Sequence, residues 1–86
     1  MKSSTTSEFW KSYACLPPEV KQRARKVYHL WKSNQKHPSL CFKKVGQAWS
    51  LRIDSGFRAM ALLEGDMFFW FWIGKHDEYE KIIAQK

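Results

Sequence analysis

With 86 residues, 44% of them hydrophobic and 16% aromatic, the chain can fill one small core but not two. Two cysteines without a CxxC pair exclude a disulfide framework, and no apolar run approaches membrane-spanning length, so the sequence predicts a cytoplasmic protein with no membrane association. Fifteen Lys and Arg against eight Asp and Glu give a net charge of +7, which suits a polyanion, with nucleic acid first and an acidic protein or plain solubility as the alternatives.

In chain order, residues 1–6 read as a flexible lead-in, since the stretch from Lys2 to Ser7 is polar throughout. Thr5 and Glu8 have capping-box spacing, which predicts a short helix burying Phe9, Trp10, Tyr13 and Leu16. Pro17-Pro18 ends it. Pro18 then suits the first position of a second helix, and Val20, Ala24, Val27, Tyr28 and Trp31 recur at helical spacing. Lys21, Arg25, His29 and Lys32, flanked by Arg23 and Lys26, give that helix a basic outer face. A charge run of this kind is ordinarily a solvated surface.

After His37-Pro38 the pattern turns to short β-type stretches at 40–45, 48–53, 57–63 and 67–73. Gly46-Gln47, Asp54-Ser55-Gly56 and Glu64-Gly65-Asp66 separate them as tight turns, which predicts an antiparallel meander. The last stretch is apolar on both alternating faces, as in a strand buried front and back. Asp77 and Glu80 then offer a capping box for a helix over about 78–84, with Tyr79, Ile82 and Ile83 as its apolar stripe. The expectation is one α+β domain over residues 1–86: helices on one face of a twisted antiparallel sheet of about four strands, two N-terminal and one short and C-terminal. Cys15 and Cys41 read as small buried hydrophobes.

The chemistry-bearing residues narrow by elimination. Cys15, His29, His37, Cys41 and His76 are scattered without the close pairs of a zinc site, so no metal is expected. The isolated glycines form no phosphate loop, so no nucleotide cofactor is expected. Acid–base chemistry on a bound substrate remains. Arg52 and Arg58 flank the Asp54-Ser55-Gly56 turn, and if the hairpin register puts them on one face they offer two guanidiniums suited to phosphate. An ion pair of Arg58 with Asp54, Glu64 or Asp66 is the structural alternative. Of Lys43 and Lys44, alternation sends only one to that face. His76, between strand and helix, can exchange protons near pH 7 or merely finish a turn. Tyr79 reads first as core, with a hydroxyl able to reach a surface site.

The stretches "LPPEVKQRARKVYHLW", "HPSLCFKKV", "WSLRIDSGFRAMAL" and "FFWFWIGKHDEYEKII", in this order, resemble the RelE/ParE superfamily of small toxins from toxin–antitoxin systems, in particular its HigB- and RelE-type ribonuclease branches. The resemblance implies a RelE-like fold and metal-independent cleavage of messenger RNA on the ribosome, by attack of a 2′-OH on the adjacent phosphate. It implies an acidic cognate antitoxin as a further partner, and no cofactor. By residue, Arg58 resembles the family's phosphate-contacting arginine and Arg52 falls where RelE has a catalytic lysine. His76 stands where RelE has a catalytic arginine and related toxins a histidine, and Tyr79 lies closer to that position than the family's catalytic aromatic does. Lys43 and Lys44 resemble the RNA-holding basic residues, with Lys75, Arg25 and Lys21 as further RNA-binding candidates; Ser50 stands where RelE has another functional lysine. A ParE-like gyrase inhibitor and a catalytically silent RNA-binding module are the alternatives within the same fold.

Overall fold

The computed structural model describes residues 2–84, with the side chains of 82–84 excepted, so the predicted burial of Ile82 and Ile83 lies outside the described residues. The elements run β1 (Lys2–Thr5), α1 (Ser7–Ala14), α2 (Pro18–Ser33), a 3-10 turn (Pro38–Leu40), β2 (Lys43–Val45), β3 (Ala48–Asp54), β4 (Phe57–Glu64), β5 (Met67–Lys75) and α3 (His76–Ala84). They form the predicted α+β architecture, with two N-terminal helices against a twisted sheet whose four consecutive strands β2 to β5 are antiparallel.

The sheet has a fifth strand. The order is β1-β5-β4-β3-β2, and β1 lies parallel to β5, pairing Lys2 with Met67 through Thr5 with Trp70. Within the stretch 1–6 read as a flexible lead-in, Lys2–Thr5 are therefore a paired edge strand, and Met1 lies outside the described residues. Polar side chains carry no strand signal, but the open edge of β5 satisfies their backbone groups. Thr6 extends the junction: its N–H and its hydroxyl both donate to the Trp70 carbonyl, at 3.1 and 3.0 Å, and its Oγ1 accepts from the Phe9 N–H at 3.2 Å. The N-cap of α1 is therefore Thr6 rather than Thr5, and Glu8 sits in the first turn.

Pro17 is extended and Pro18 opens α2, as predicted. Trp31 is fully buried, and its ring meets those of Phe42, Phe68 and Trp70 edge-on at centroid distances of 5.6, 5.4 and 5.2 Å. Val20, Ala24, Leu51, Ile53, Ala59 and Ala61 complete this main core between helices and sheet. Trp10 is 52% exposed, contrary to its predicted burial: it stands about 100° round α1 from the half-buried Phe9, and its indole N–H donates to Thr5 Oγ1 at 2.9 Å. Cys15 and Cys41 are also exposed rather than buried: one caps the end of α1, and the other follows the 3-10 turn with φ at 45°.

Gly46 and Gly65, at φ 64° and 62°, make the two-residue turns of the β2–β3 and β4–β5 hairpins. Between β4 and β5 the register shifts at Phe71, since Ala61 pairs with Trp70 and Met60 with Trp72. This bulge inverts the alternation. Trp70 and Ile73 thereby both join the main core, while Phe71 and Trp72 belong to a second cluster with Ala48, Met60 and Tyr79. Because Met60 alternates with Ala59 and Ala61, the second cluster lies on the other face of the sheet, and α3 packs there through Tyr79. The expectation that all helices share one face is corrected in this respect.

Candidate functional site

The β3–β4 hairpin answers the register question directly, because Arg52 and Arg58 are cross-strand partners. Facing residues share a side of the sheet, so both guanidiniums rise from the face that α1 and α2 leave uncovered. Lys43 pairs with Ser50, two positions before Arg52, and takes the same face. Lys44 pairs with Trp49 and takes the opposite one.

The Asp54-Ser55-Gly56 turn fixes one end of this face. Asp54 Oδ1 accepts the Gly56 N–H at 2.8 Å, which is the reason an aspartate suits the start of such a turn. Arg58 makes none of the predicted ion pairs. Its Nη1 instead donates to the backbone carbonyls of Asp54 at 2.7 Å and Phe57 at 3.0 Å, which holds the half-buried side chain against the turn. Arg52 makes no hydrogen bond or ion pair among the described residues. One arginine is therefore positioned, and its neighbour carries an unneutralised charge.

His76 reaches the same end by its backbone, its N–H donating to the Gly56 carbonyl at 2.8 Å. It is the first residue of α3, which follows β5 without a break, so Asp77 lies inside the first turn and is not the predicted cap. Glu80 serves a different purpose: its carboxylate lies 3.6 Å from His76 Nε2 across one helical turn. The imidazole side chain is 35% exposed and lies 5.8 Å from the Tyr79 ring. Tyr79 is 6% exposed and packs on Met60 and Ala48, as its core reading predicts; its hydroxyl makes no hydrogen bond among the described residues.

Gly74 and Trp72 were not singled out by sequence reasoning. Gly74 faces Arg58 across β4–β5, and the Trp72 indole lies so close over it that a Cβ there would meet Cζ2 at 2.6 Å. Only glycine fits. The signal was present in "WIGK", but which face the tryptophan takes depends on the bulge at Phe71.

The remaining candidates stand elsewhere. Arg25 and Lys21 are on α2, across the sheet, and both engage Tyr13: Arg25 Nη1 donates to its hydroxyl at 2.8 Å, and Lys21 Nζ sits 5.6 Å over its ring. Lys75 is exposed at the end of β5, opposite Phe57. Among the described residues no group of three or more His, Cys, Asp and Glu could hold a metal ion, and no helix is long and apolar enough to cross a membrane. A cleft of about 810 Å³ and one of about 370 Å³ are present, and neither is lined by Arg52, Arg58 or His76. The Arg52–Arg58 end of this face is enclosed by neither cleft, and farther along it Ala48, Ser50 and Met60 are buried, with Tyr79 of α3 packed on Ala48 and Met60.

No family model matches the chain, and no curated protein does. Solved structures do. RelE from the RelB–RelE antitoxin–toxin complex of Methanococcus jannaschii superposes with a TM-score of 0.71 at 15% identity, covering 91% of this chain and 95% of that one. YafQ from E. coli gives 0.73 at 8% identity over 91% and 96%, and a YoeB/ParE toxin from Agrobacterium tumefaciens gives 0.68 at 15% over 88% and 99%. At such identities the likeness is one of fold. The architecture of this chain is that of the RelE/ParE-type toxins of toxin–antitoxin systems.

Proposed function

We propose that the chain is the toxin of a toxin–antitoxin pair and acts as a ribosome-dependent messenger RNA endonuclease. The observation that carries this reading is the direct pairing of Arg52 with Arg58 on the sheet face away from α1 and α2, at the end where His76 is tied to Gly56. Cleavage of RNA by its own 2′-OH requires three things. A base removes the 2′-OH proton as the oxygen attacks phosphorus, cations stabilise the crowded dianionic phosphorane, and an acid protonates the departing 5′-oxygen. The products are a cyclic 2′,3′-phosphate and a free 5′-OH. Arg52 and Arg58 fit the cationic role, guanidiniums being matched in shape to phosphate oxygens, and Arg58 is held for it by the turn carbonyls. His76 fits proton transfer. Lys43, on the same face, fits a flanking phosphate. The +7 charge supports both binding to ribosomal RNA and inhibition by an acidic antitoxin.

Burial of the Tyr79 ring favours, as a second reading, an RNA-binding member of this fold without catalysis. In vitro translation with 5′-end mapping of the messenger, beside His76→Ala, separates the two. New ends within the A-site codon, lost in the variant, are expected. Intact messenger in both reactions refutes cleavage and leaves the silent binder or a gyrase-directed toxin.

A further inference from the structure

The larger cleft, about 810 Å³, lies on the side of the sheet opposite Arg52 and Arg58 and takes no part in the proposed reaction. Its lining includes Phe42, Trp49 and Leu63, with Lys2 and Lys36 also at its walls. Phe42 and Trp49 are half-buried and stacked, with centroids 4.9 Å apart and planes 25° apart, and Phe68 stands edge-on to both, which fixes the pair rigidly. Leu63 is left 41% exposed beside them. A rigid aromatic pair with Lys36 on the cleft wall and Lys44 across the strand from Trp49 has the composition of a base-stacking site, in which the ring supplies a sequence-tolerant apolar contact and the lysines meet the phosphate. Asp66 is the acidic wall residue, and it is paired with Lys2 at 3.6 Å. Lys36 and Lys44, the latter being Trp49's cross-strand partner, are exposed and make no ion pair among the described residues.

We propose that this cleft is a second nucleotide-binding site, which takes a nucleobase against Phe42 and Trp49 and its phosphate on Lys36 and Lys44. The adjacent lysines of β2 give it a route to the first face. Lys43 turns toward Arg52 and Lys44 toward Trp49, so a single strand laid over this sheet edge meets a cation on each side. The base and phosphate come either from a free nucleotide or from such a strand. Binding at this cleft is independent of cleavage and does not rest on the proposed reaction.

The test is fluorescence anisotropy of the full chain with a labelled eight-nucleotide single-stranded RNA, with adenosine monophosphate as competitor, at several salt concentrations. Lys36→Glu combined with Lys44→Glu should weaken strand binding and lower the salt slope by roughly 0.7 for each phosphate no longer neutralised. Trp49→Leu should weaken it at least ~5-fold, the lower end of base–aromatic stacking; circular dichroism checks that it folds, and the surface lysine pair serves if it does not. Displacement by the mononucleotide identifies a nucleotide pocket, and strand binding without displacement identifies an RNA track; either supports the site. Unchanged affinity and slope in the folded variants overturn it. Intact messenger in the translation assay would refute the endonuclease and leave this site standing, whereas unchanged strand binding would do the reverse.

Discussion

Replacing Gly74 by alanine isolates the contact that shapes the candidate face. The added methyl would meet Trp72 Cζ2 at 2.6 Å and Cε2 and Cη2 at 3.2 Å, against the usual carbon–carbon separation of about 3.5–4.0 Å. Either the indole or the strand must give by about an ångström at the closest contact, and such overpacking costs ~1–3 kcal/mol. Gly74 is not at positive φ, so alanine also narrows the unfolded ensemble and returns about 0.4–1 kcal/mol. The balance is a loss of roughly 1–2 kcal/mol, and at about 4–8 °C per kcal/mol for a domain of this size the midpoint should fall by roughly 5–15 °C. Thermal and urea unfolding of Gly74→Ala, Trp72→Leu and the double variant measure this. With the indole gone the methyl should be accommodated, so the double variant should be more stable than the sum of the singles requires. A Gly74→Ala protein as stable as the parent, or additivity in the cycle, would refute the close approach.

Arg58→Ala should abolish growth inhibition and, by releasing the Asp54 and Phe57 carbonyls, lower stability by about 1–3 kcal/mol; full toxicity of a folded variant removes Arg58 from the mechanism. Thr6→Ala deletes the cap to Phe9 and the hydroxyl bond to Trp70 and should cost ~1 kcal/mol in urea unfolding, with an unchanged midpoint excluding the cap. Its own backbone N–H, then the Thr6 side chain, favour the charged form of the Glu8 carboxyl and hold it below its ordinary value of 4.5. A lowered folded-state value means a contribution present above 4.5 and lost as pH falls through that lower value, so Glu8→Gln should flatten stability against pH in that window; NMR titration of Glu8 at or above 4.5 would contradict it.

Much of this fold was legible because its signals are local. Gly46, Gly65 and the Asp54 turn divide the strands, and the Pro17-Pro18 pair and the spacing of Val20, Ala24 and Trp31 define α2. What was not legible depends on partners distant in sequence. Lys2–Thr5 has no strand pattern of its own and becomes a strand only against β5. The bulge at Phe71 decides that Trp70 and Ile73 face the helices while Trp72 faces Arg58's side, a choice that strict alternation gets wrong. Arg52 and Arg58 could be named from sequence, but their pairing waited on the hairpin register, as did the separation of Lys43 from Lys44. The cysteines were misread because burial was inferred from residue type, whereas both occupy turn positions.

The parallel pairing of β1 also bears on how the chain acquires its structure. Thr6 meets Trp70 across 64 positions, while the hairpins β2 to β5 close over turns of two residues. Closing the long loop is entropically costly until the meander supplies the edge it docks on, so β1 should join late on the folding route. During synthesis β1 leaves the ribosome ahead of its partner and stays unpaired until β5 has followed it out. For a chain proposed to attack ribosomes, a sheet whose first strand must wait for β5 delays the finished fold until that strand has been made.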